Sequence, residues 1–264
     1  MMPEPSVKQK NYIKMQKKKR RTVIFMRLFL FLFFLALWEI AADFGWSDSF
    51  IFSSPSRVMK TAFTMLKDGS LLLHIRVTLT ETLISFMLVV LSGILLAVLL
   101  WMFPMVSEIL EPTLVVLNSL PKSALAPLLI VWLGANIKTI ILAGMSVAVF
   151  GTILNLYTCF SQISPDREKL IYTLGGTKKD TLLKVVLPGT VPNILSIMKV
   201  NIGLCLVGVV IGEFIGARCG LGYLIIYGSQ VFKLDWVIMS IVILCVIAML
   251  LYTLLGRLER ACRK

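Results

Sequence analysis

Six runs of mostly apolar residues dominate this sequence, and each is long enough to cross a lipid bilayer as a helix. A spanning helix needs about 20 apolar residues, because the hydrocarbon core is roughly 30 Å thick. The runs are Val23 to Ala42, Leu83 to Phe103, Leu114 to Leu133, Thr139 to Phe160, Ile194 to Ala217 and Val237 to Gly256. With 58% hydrophobic and 16% charged residues, the composition lies outside that of soluble domains. The sequence therefore predicts an all-α polytopic membrane protein with six transmembrane helices.

Lysine and arginine outnumber aspartate and glutamate by 27 to 14, and they cluster beside the apolar runs. The clusters lie in residues 1–22, in the loop 161–193 and in residues 257–264. Basic residues next to spans stay on the cytoplasmic side. Six spans then place both termini in the cytoplasm, with the chain in the cell (inner or plasma) membrane. This clustering favours the lipid bilayer over nucleic acid as a partner.

These features divide the chain into a basic tail, a first transmembrane anchor, an extracytoplasmic segment, a core of five transmembrane helices and a second tail. The ranges are 1–22, 23–42, 43–82, 83–256 and 257–264. A signal peptide also begins with a basic stretch before an apolar one. However, this apolar run is long for a signal peptide, and no A-x-A cleavage pattern follows it. We expect an uncleaved anchor.

The residues that carry enzymatic or metal chemistry are scarce. The five cysteines lack the spacing of a metal or redox motif, and His74 is the single histidine, expected at the surface. Glu213 is the one acid that the predicted spans place deeply, too few for a membrane-embedded enzyme. No G-x-x-x-x-G-K-[ST] motif occurs, and the longest cytoplasmic loop is too short for a nucleotide-binding domain. We therefore expect no enzymatic activity, metal or cofactor on this chain.

The third apolar run and the loop 161–193 carry the most specific local signals. Pro121 and Pro127 must interrupt the helical hydrogen bonds of the third run. In the loop, Ser164-Pro165-Asp166 begins a helix and Gly175-Gly176 ends it. Thr177 caps a second helix, with Asp180 at its third position, and Pro188 is expected to stop that helix. Two short helices form either a knob that binds a partner or a hairpin on anionic lipid.

The loop resembles the hallmark region of ABC importer permeases, whose pattern is EAA, three residues, Gly, nine residues and Ile-x-Leu-Pro. Gly175 and Val185-Val186-Leu187-Pro188 stand at the right spacing. Lys169-Leu170-Ile171 replaces the usual Glu-Ala-Ala, so contact with the partner is expected to differ in detail.

Further motifs resemble the permeases for sulfonates, taurine, nitrate and thiamine-precursor pyrimidines. They are Leu120-Pro121-Lys122, Ala126-Pro127-Leu128, Trp132-Leu133-Gly134, Val210-Ile211-Gly212-Glu213 and Gly220-Leu221-Gly222-Tyr223. The resemblance implies the type I ABC importer permease fold, in which two permease copies form a pore. It also implies two copies of an ABC ATPase subunit, which would bind ATP and Mg, and an extracytoplasmic binding protein that delivers the solute.

The resemblance assigns coupling to the ATPase to one set of loop residues. They are Lys169, Leu170, Ile171, Gly175, Gly176, Thr177, Val185, Leu187 and Pro188. The family spacing marks Gly175 as the turn position, so Gly176→Ala is expected to be milder than Gly175→Val.

Polar residues inside spans are the candidates for a translocation pathway, because they are costly against lipid. They are Asn118, Ser119, Lys122, Asn155, Asn201 and Glu213, with Lys199 as a further candidate. Alternatively, the lysines reach the membrane interface, Glu213 binds a backbone turn near the outer end, and Asn118 and Ser119 join helices. Lys122 hints at an anionic solute. A secondary transporter of a small anion is the alternative function, although it favours inverted repeats that the sequence lacks.

Overall fold

The structure, a computed structural model, describes residues 7–43 and 53–262, and helices account for nearly all of this part. The ends of both predicted tails and residues 44–52 of the predicted extracytoplasmic segment lie outside the described residues. The helices are α1 (Val7–Asp43), α2 (Pro55–Lys67), α3 (Ser70–Met102), α4 (Pro104–Ser119), α5 (Lys122–Leu133), α6 (Ile137–Ser161), α7 (Pro165–Thr173), α8 (Lys178–Gly216), α9 (Leu221–Gln230) and α10 (Leu234–Cys262).

Five described helices are long and apolar enough to cross a membrane: α1, α3, α6, α8 and α10. The predicted third span is not one helix. It consists of α4 and α5, which meet at 96°. Leu120 is extended because it precedes a proline, and Pro121 has no N–H to continue the helix. The predicted interruption is confirmed at Pro121, whereas Pro127 lies inside α5 and does not end it. The bent pair supplies a sixth span if it crosses the membrane as one unit.

Helix α3 begins earlier than the apolar run that predicted it. Gly69 has a φ of 77°, and the Asp68 carboxylate accepts bonds from the Ser70 hydroxyl (2.7 Å) and backbone N–H (3.0 Å). These bonds hold the pKa of Asp68 below its usual range. The span therefore starts at Ser70, and Glu81 becomes part of it.

Helix α8 corrects the prediction that Pro188 stops the second loop helix. The segment Lys178–Thr181 leads into a π-helical turn, Leu182–Val186, and then into Leu187–Gly216 without a break. The wider turn directs the Leu187 N–H to the Leu182 carbonyl. Pro188 then stands in the first turn of the resumed α-helix, where its missing N–H is tolerated. One helix of 39 residues therefore joins the loop to the fifth span.

The core lies where α6 packs between α3 and α8. Glycines bring the backbones of α6 and α8 close together: a Cβ on Gly208 would lie 2.8 Å from the Gly144 Cα. Such small residues are typical of helix contacts in membranes. A second cluster, at the end of this bundle nearest the loop, includes Trp101, Phe160 and Val186.

Candidate functional site

The first helix of the loop 161–193 begins and ends as predicted. Pro165 is its first residue, and Asp166 and Glu168 lie in its first turn, where the helix dipole stabilises carboxylates. Ser164 is the N-cap residue by position, but its side chain makes no capping hydrogen bond. We call α7, the following turn and the first turn of α8 the knob, residues 165–181.

The turn of the knob is a Schellman motif followed by a capping box. Gly175 has a φ of 80°, its N–H donates to Tyr172 O (3.0 Å), and the Gly176 N–H donates to Ile171 O (2.9 Å). The Thr177 N–H then donates to Asp180 Oδ2 at 2.9 Å, and the Asp180 N–H donates to Thr177 Oγ1 at 3.3 Å. Both predicted signals are confirmed.

The two glycines are constrained in different ways. Apart from its chain neighbours, no described residue places a heavy atom within 4 Å of a Cβ built on Gly175, so the constraint at this position is its positive φ. A Cβ on Gly176 would lie 2.5 Å from Ile171 Cγ2 and 3.0 Å from Ile171 O. This contact gives a physical reason to expect that Gly176→Ala is as disruptive as Gly175→Val.

The knob presents apolar side chains to the surface. Leu174 is 76% exposed, and Leu170 and Leu183 are exposed beside it. Of the triplet that replaces Glu-Ala-Ala, Lys169 is exposed too, whereas Ile171 packs against Gly176. Among the remaining predicted coupling residues, Thr177 and Pro188 are exposed, and Val185 and Leu187 are half-buried.

The base of the knob is fixed to the spans. Leu182 and Val186 are buried in the cluster with Trp101. Lys178 Nζ donates to Met102 O at 2.8 Å and lies 5.3 Å from the Trp101 ring centroid. A cation is favourable at a helix C-terminus, where carbonyls lack partners. The sequence identifies Lys178 only as a basic residue of the loop, because no neighbouring residue indicates a carbonyl acceptor on α3.

Three of the predicted pathway residues meet in one open cavity of about 460 Å³ between α6 and α8. They are Asn118, Asn155 and Asn201. Thr158, Gln162 and Ser196 add further uncharged polar groups to its lining. The Asn201 side-chain N–H donates to Thr152 Oγ1 at 2.8 Å, so this amide also joins α8 to α6.

The other predicted pathway residues lie outside this cavity. Ser119 donates to Val115 O in its own helix. Lys122 Nζ donates to Leu117 O (3.2 Å) and Asn118 O (2.8 Å), so it caps the last carbonyls of α4. Lys199 Nζ pairs with Glu259 Oε2 at 2.7 Å.

Glu213 is fully buried and binds a backbone turn, as its alternative interpretation held. It accepts bonds from Thr78 Oγ1 (2.7 Å) and from the Gly222 N–H (2.6 Å). Glu81 is buried beside it, so Glu213 is not the one deeply placed acid. His74 is half-buried rather than at the surface, and its Nδ1 lies 2.9 Å from the Gly220 N.

Comparisons with known proteins agree with this architecture. The model of the family described as "Binding-protein-dependent transport system inner membrane component" matches residues 89–264. The chain is 30% identical over 218 residues to a probable ABC transporter permease protein of Haemophilus influenzae, covering 83% of this chain and 88% of that one. It is 28% identical to the formylaminopyrimidine transport permease protein ThiX of Halalkalibacterium halodurans, covering 73% of this chain and 76% of the relative.

A solved structure shares the fold. It is an inward-facing conformation of the MetNI methionine ABC transporter, which aligns with a TM-score of 0.66 at 19% identity. The alignment covers 74% of this chain and 96% of that chain.

Proposed function

The chain belongs to the family of binding-protein-dependent transport system inner membrane components and is an ABC importer permease for a small solute. We propose that two copies of this chain form the pore. Two copies of a separate ATPase would bind ATP and Mg and supply the energy. An extracytoplasmic binding protein would deliver the solute, and both termini would lie in the cytoplasm.

The observation that carries the proposal is the knob and its continuity with a span. Exposed Leu170 and Leu174 give the knob an apolar side that fits a groove on a partner chain. Buried Leu182 and Val186 fix its base in the core. Because α8 continues unbroken from Lys178 to Gly216, a displacement of the knob must move the lining of the cavity.

The open cavity supports a pair of identical copies. Asn118 and Asn155 are exposed on the surface of the single chain, although they lie in apolar segments. Such amides are costly against lipid. A second copy that covers the cavity would place these amides in a shared pathway. The 460 Å³ cavity of each chain would then form half of that pathway.

The lining favours recognition of the solute through uncharged hydrogen-bonding groups. The structure removes the reason to expect an anion from Lys122, because its ammonium binds the carbonyls of α4 instead. Sulfonates, taurine, nitrate and thiamine-precursor pyrimidines therefore remain equal candidates. The family match does not favour a secondary transporter of a small anion.

Native mass spectrometry of the tagged chain, released from its own membranes in mild detergent, tests the assembly. We expect two permease copies with two copies of an ATPase chain. Solute uptake by cells that keep the permease but lack the ATPase would refute this function and favour a secondary transporter. A second type of permease chain in the complex would revise the pair to a heterodimer.

Uptake of labelled taurine, an alkanesulfonate, nitrate and formylaminopyrimidine then tests the cavity. Asn155→Leu should reduce uptake of the transported compound at least tenfold while the ATPase still co-purifies. Ser119→Ala, outside the cavity, should transport normally. Equal uptake by Asn155→Leu and the wild type would remove the cavity from the pathway.

A further inference from the structure

Two carboxyl groups from different spans lie in contact inside the bundle. Glu81 of α3 is 1% exposed and Glu213 of α8 is 0% exposed. Thr78, which lies one turn before Glu81 on α3, donates to Glu213 Oε1 at 2.7 Å, and this brings the two carboxyl groups within reach of each other. Two ionised carboxylates repel at this distance, and burial removes the water that would screen them. A hydrogen bond between carboxyl groups also needs a proton on one of them.

The hydrogen-bond donors around the pair are divided unequally. Glu213 receives the Thr78 hydroxyl at 2.7 Å, the Gly222 N–H at 2.6 Å and a bond from the Tyr223 backbone. Glu81 Oε2 is buried and has no hydrogen-bond partner among the described residues. Donors stabilise the charged form of a carboxylate. The negative charge therefore belongs on Glu213 and the proton on Glu81.

Among the described residues, no lysine or arginine forms an ion pair with either carboxyl group. His74 Nδ1 lies 2.9 Å from Gly220 N and 3.1 Å from Gly220 O, so this ring contacts the backbone of the turn rather than either carboxyl group. Cys219 Sγ lies 3.4 Å from the same nitrogen, and the Tyr223 ring stacks on His74. On the α6 side, Gly212 packs against Ile140 and Ala143, which are apolar.

We propose that Glu81 is a protonated positioning residue whose O–H donates to the Glu213 carboxylate. Thr78 adds a second connection between these elements, because its hydroxyl donates to Glu213 and accepts the Leu221 N–H at 2.8 Å. The bound proton thus fastens α3 to α8 and to the turn that begins α9. Removing that proton would place two negative charges in one buried site and separate these elements.

Thermal unfolding of the purified chain in lipid nanodiscs, measured at rising pH, tests this inference. A group that the fold holds protonated contributes stability below its titration, and that stability is lost as pH rises through it. We expect the wild-type Tm to fall by about 3 °C for each alkaline pH unit beyond the titration. Glu81→Gln, which keeps a donor and cannot ionise, should match the wild type at neutral pH and lose this alkaline slope.

Glu111→Gln, which removes an exposed acid from α4, is the matched control and should keep the wild-type slope. The same alkaline slope in Glu81→Gln and the wild type would overturn the inference. If Glu81→Gln does not fold, infrared spectroscopy of the wild type decides. A protonated carboxyl band that persists at neutral pH supports the inference, and its absence refutes it.

Discussion

Gly175 and Gly176 are adjacent residues with different physical constraints. Gly175 adopts the left-handed conformation at the end of α7, which costs a glycine little and a β-branched residue a great deal. Gly176 does not have a positive φ, but the Ile171 side chain and carbonyl occupy the space that a Cβ would need. Both residues set the direction in which the second half of the knob leaves the first.

Gly175→Val and Gly176→Ala are therefore both expected to abolish uptake and weaken co-purification of the ATPase. Neither should reduce the amount of chain in the membrane, because no span is altered. Membrane fractionation, uptake and co-purification measure the three effects. Gly189→Ala is the control, since a Cβ there would lie 4.0 Å from its nearest neighbour, Ile163 Cδ1. Normal transport by both variants would indicate a loop that lies on lipid instead.

Among the helices, the contact between the knob and the end of α3 depends on one side chain. Lys178 donates to the carbonyl of Met102, a group that the end of a helix leaves without an intrahelical partner. Its ammonium also faces the Trp101 ring, which is itself part of the buried cluster. The start of α8 is thereby tied to α3 by a polar contact as well as by packing.

Lys178→Met should loosen this connection while keeping the length of the side chain. We expect a loss of about 1 kcal/mol in the free energy of unfolding and faster hydrogen exchange in the last turn of α3. Lys179→Met, which alters the exposed neighbouring lysine, should change neither quantity. Equal exchange rates in the two variants would show that the apolar cluster alone holds the knob.

For the molecule as a whole, the orientation in the membrane is the most direct prediction. Three basic segments fall on one side of a chain with six spans, and that side is expected to be cytoplasmic. In a background without native cysteines, Lys60→Cys on α2 should react with an external, membrane-impermeant thiol reagent. Lys169→Cys on α7 should react only after the membrane is opened. Both side chains are exposed in the structure. External labelling at position 169 would reverse the model.

The local signals predicted the elements well, because they depend on neighbours in sequence. Thr177 and Asp180 begin a helix through hydrogen bonds within one turn, and Pro165 begins one through its fixed φ. The stop expected at Pro188 failed because a π-helical turn and the buried cluster beneath it carry the helix onward. Tertiary packing decided that outcome, and no spacing in the sequence encodes it.

The contact between Glu81 and Glu213 is not among the predictions from the sequence, although the sequence contains a signal for it. His74, Thr78, Glu81 and Ser85 recur at helical spacing and form one polar stripe on α3. Because the apolar run begins at Leu83, the sequence pattern predicts the first three of these residues in the extracytoplasmic segment. The role of Lys122 could not be found in this way, because it depends on the angle between α4 and α5.

Synthesis delivers α4 and α5 to the insertion channel before α6 has left the ribosome. With 16 and 12 residues, each is shorter than the roughly 20 residues that a helix needs to cross the bilayer alone. Their 96° bend leaves backbone carbonyls without helical partners, and the Lys122 ammonium donates to some of them. That ammonium is itself costly to place in the membrane. Helix α6 packs against both. We therefore expect the bent pair to stay at the channel until α6 emerges, so that the three helices enter the lipid together.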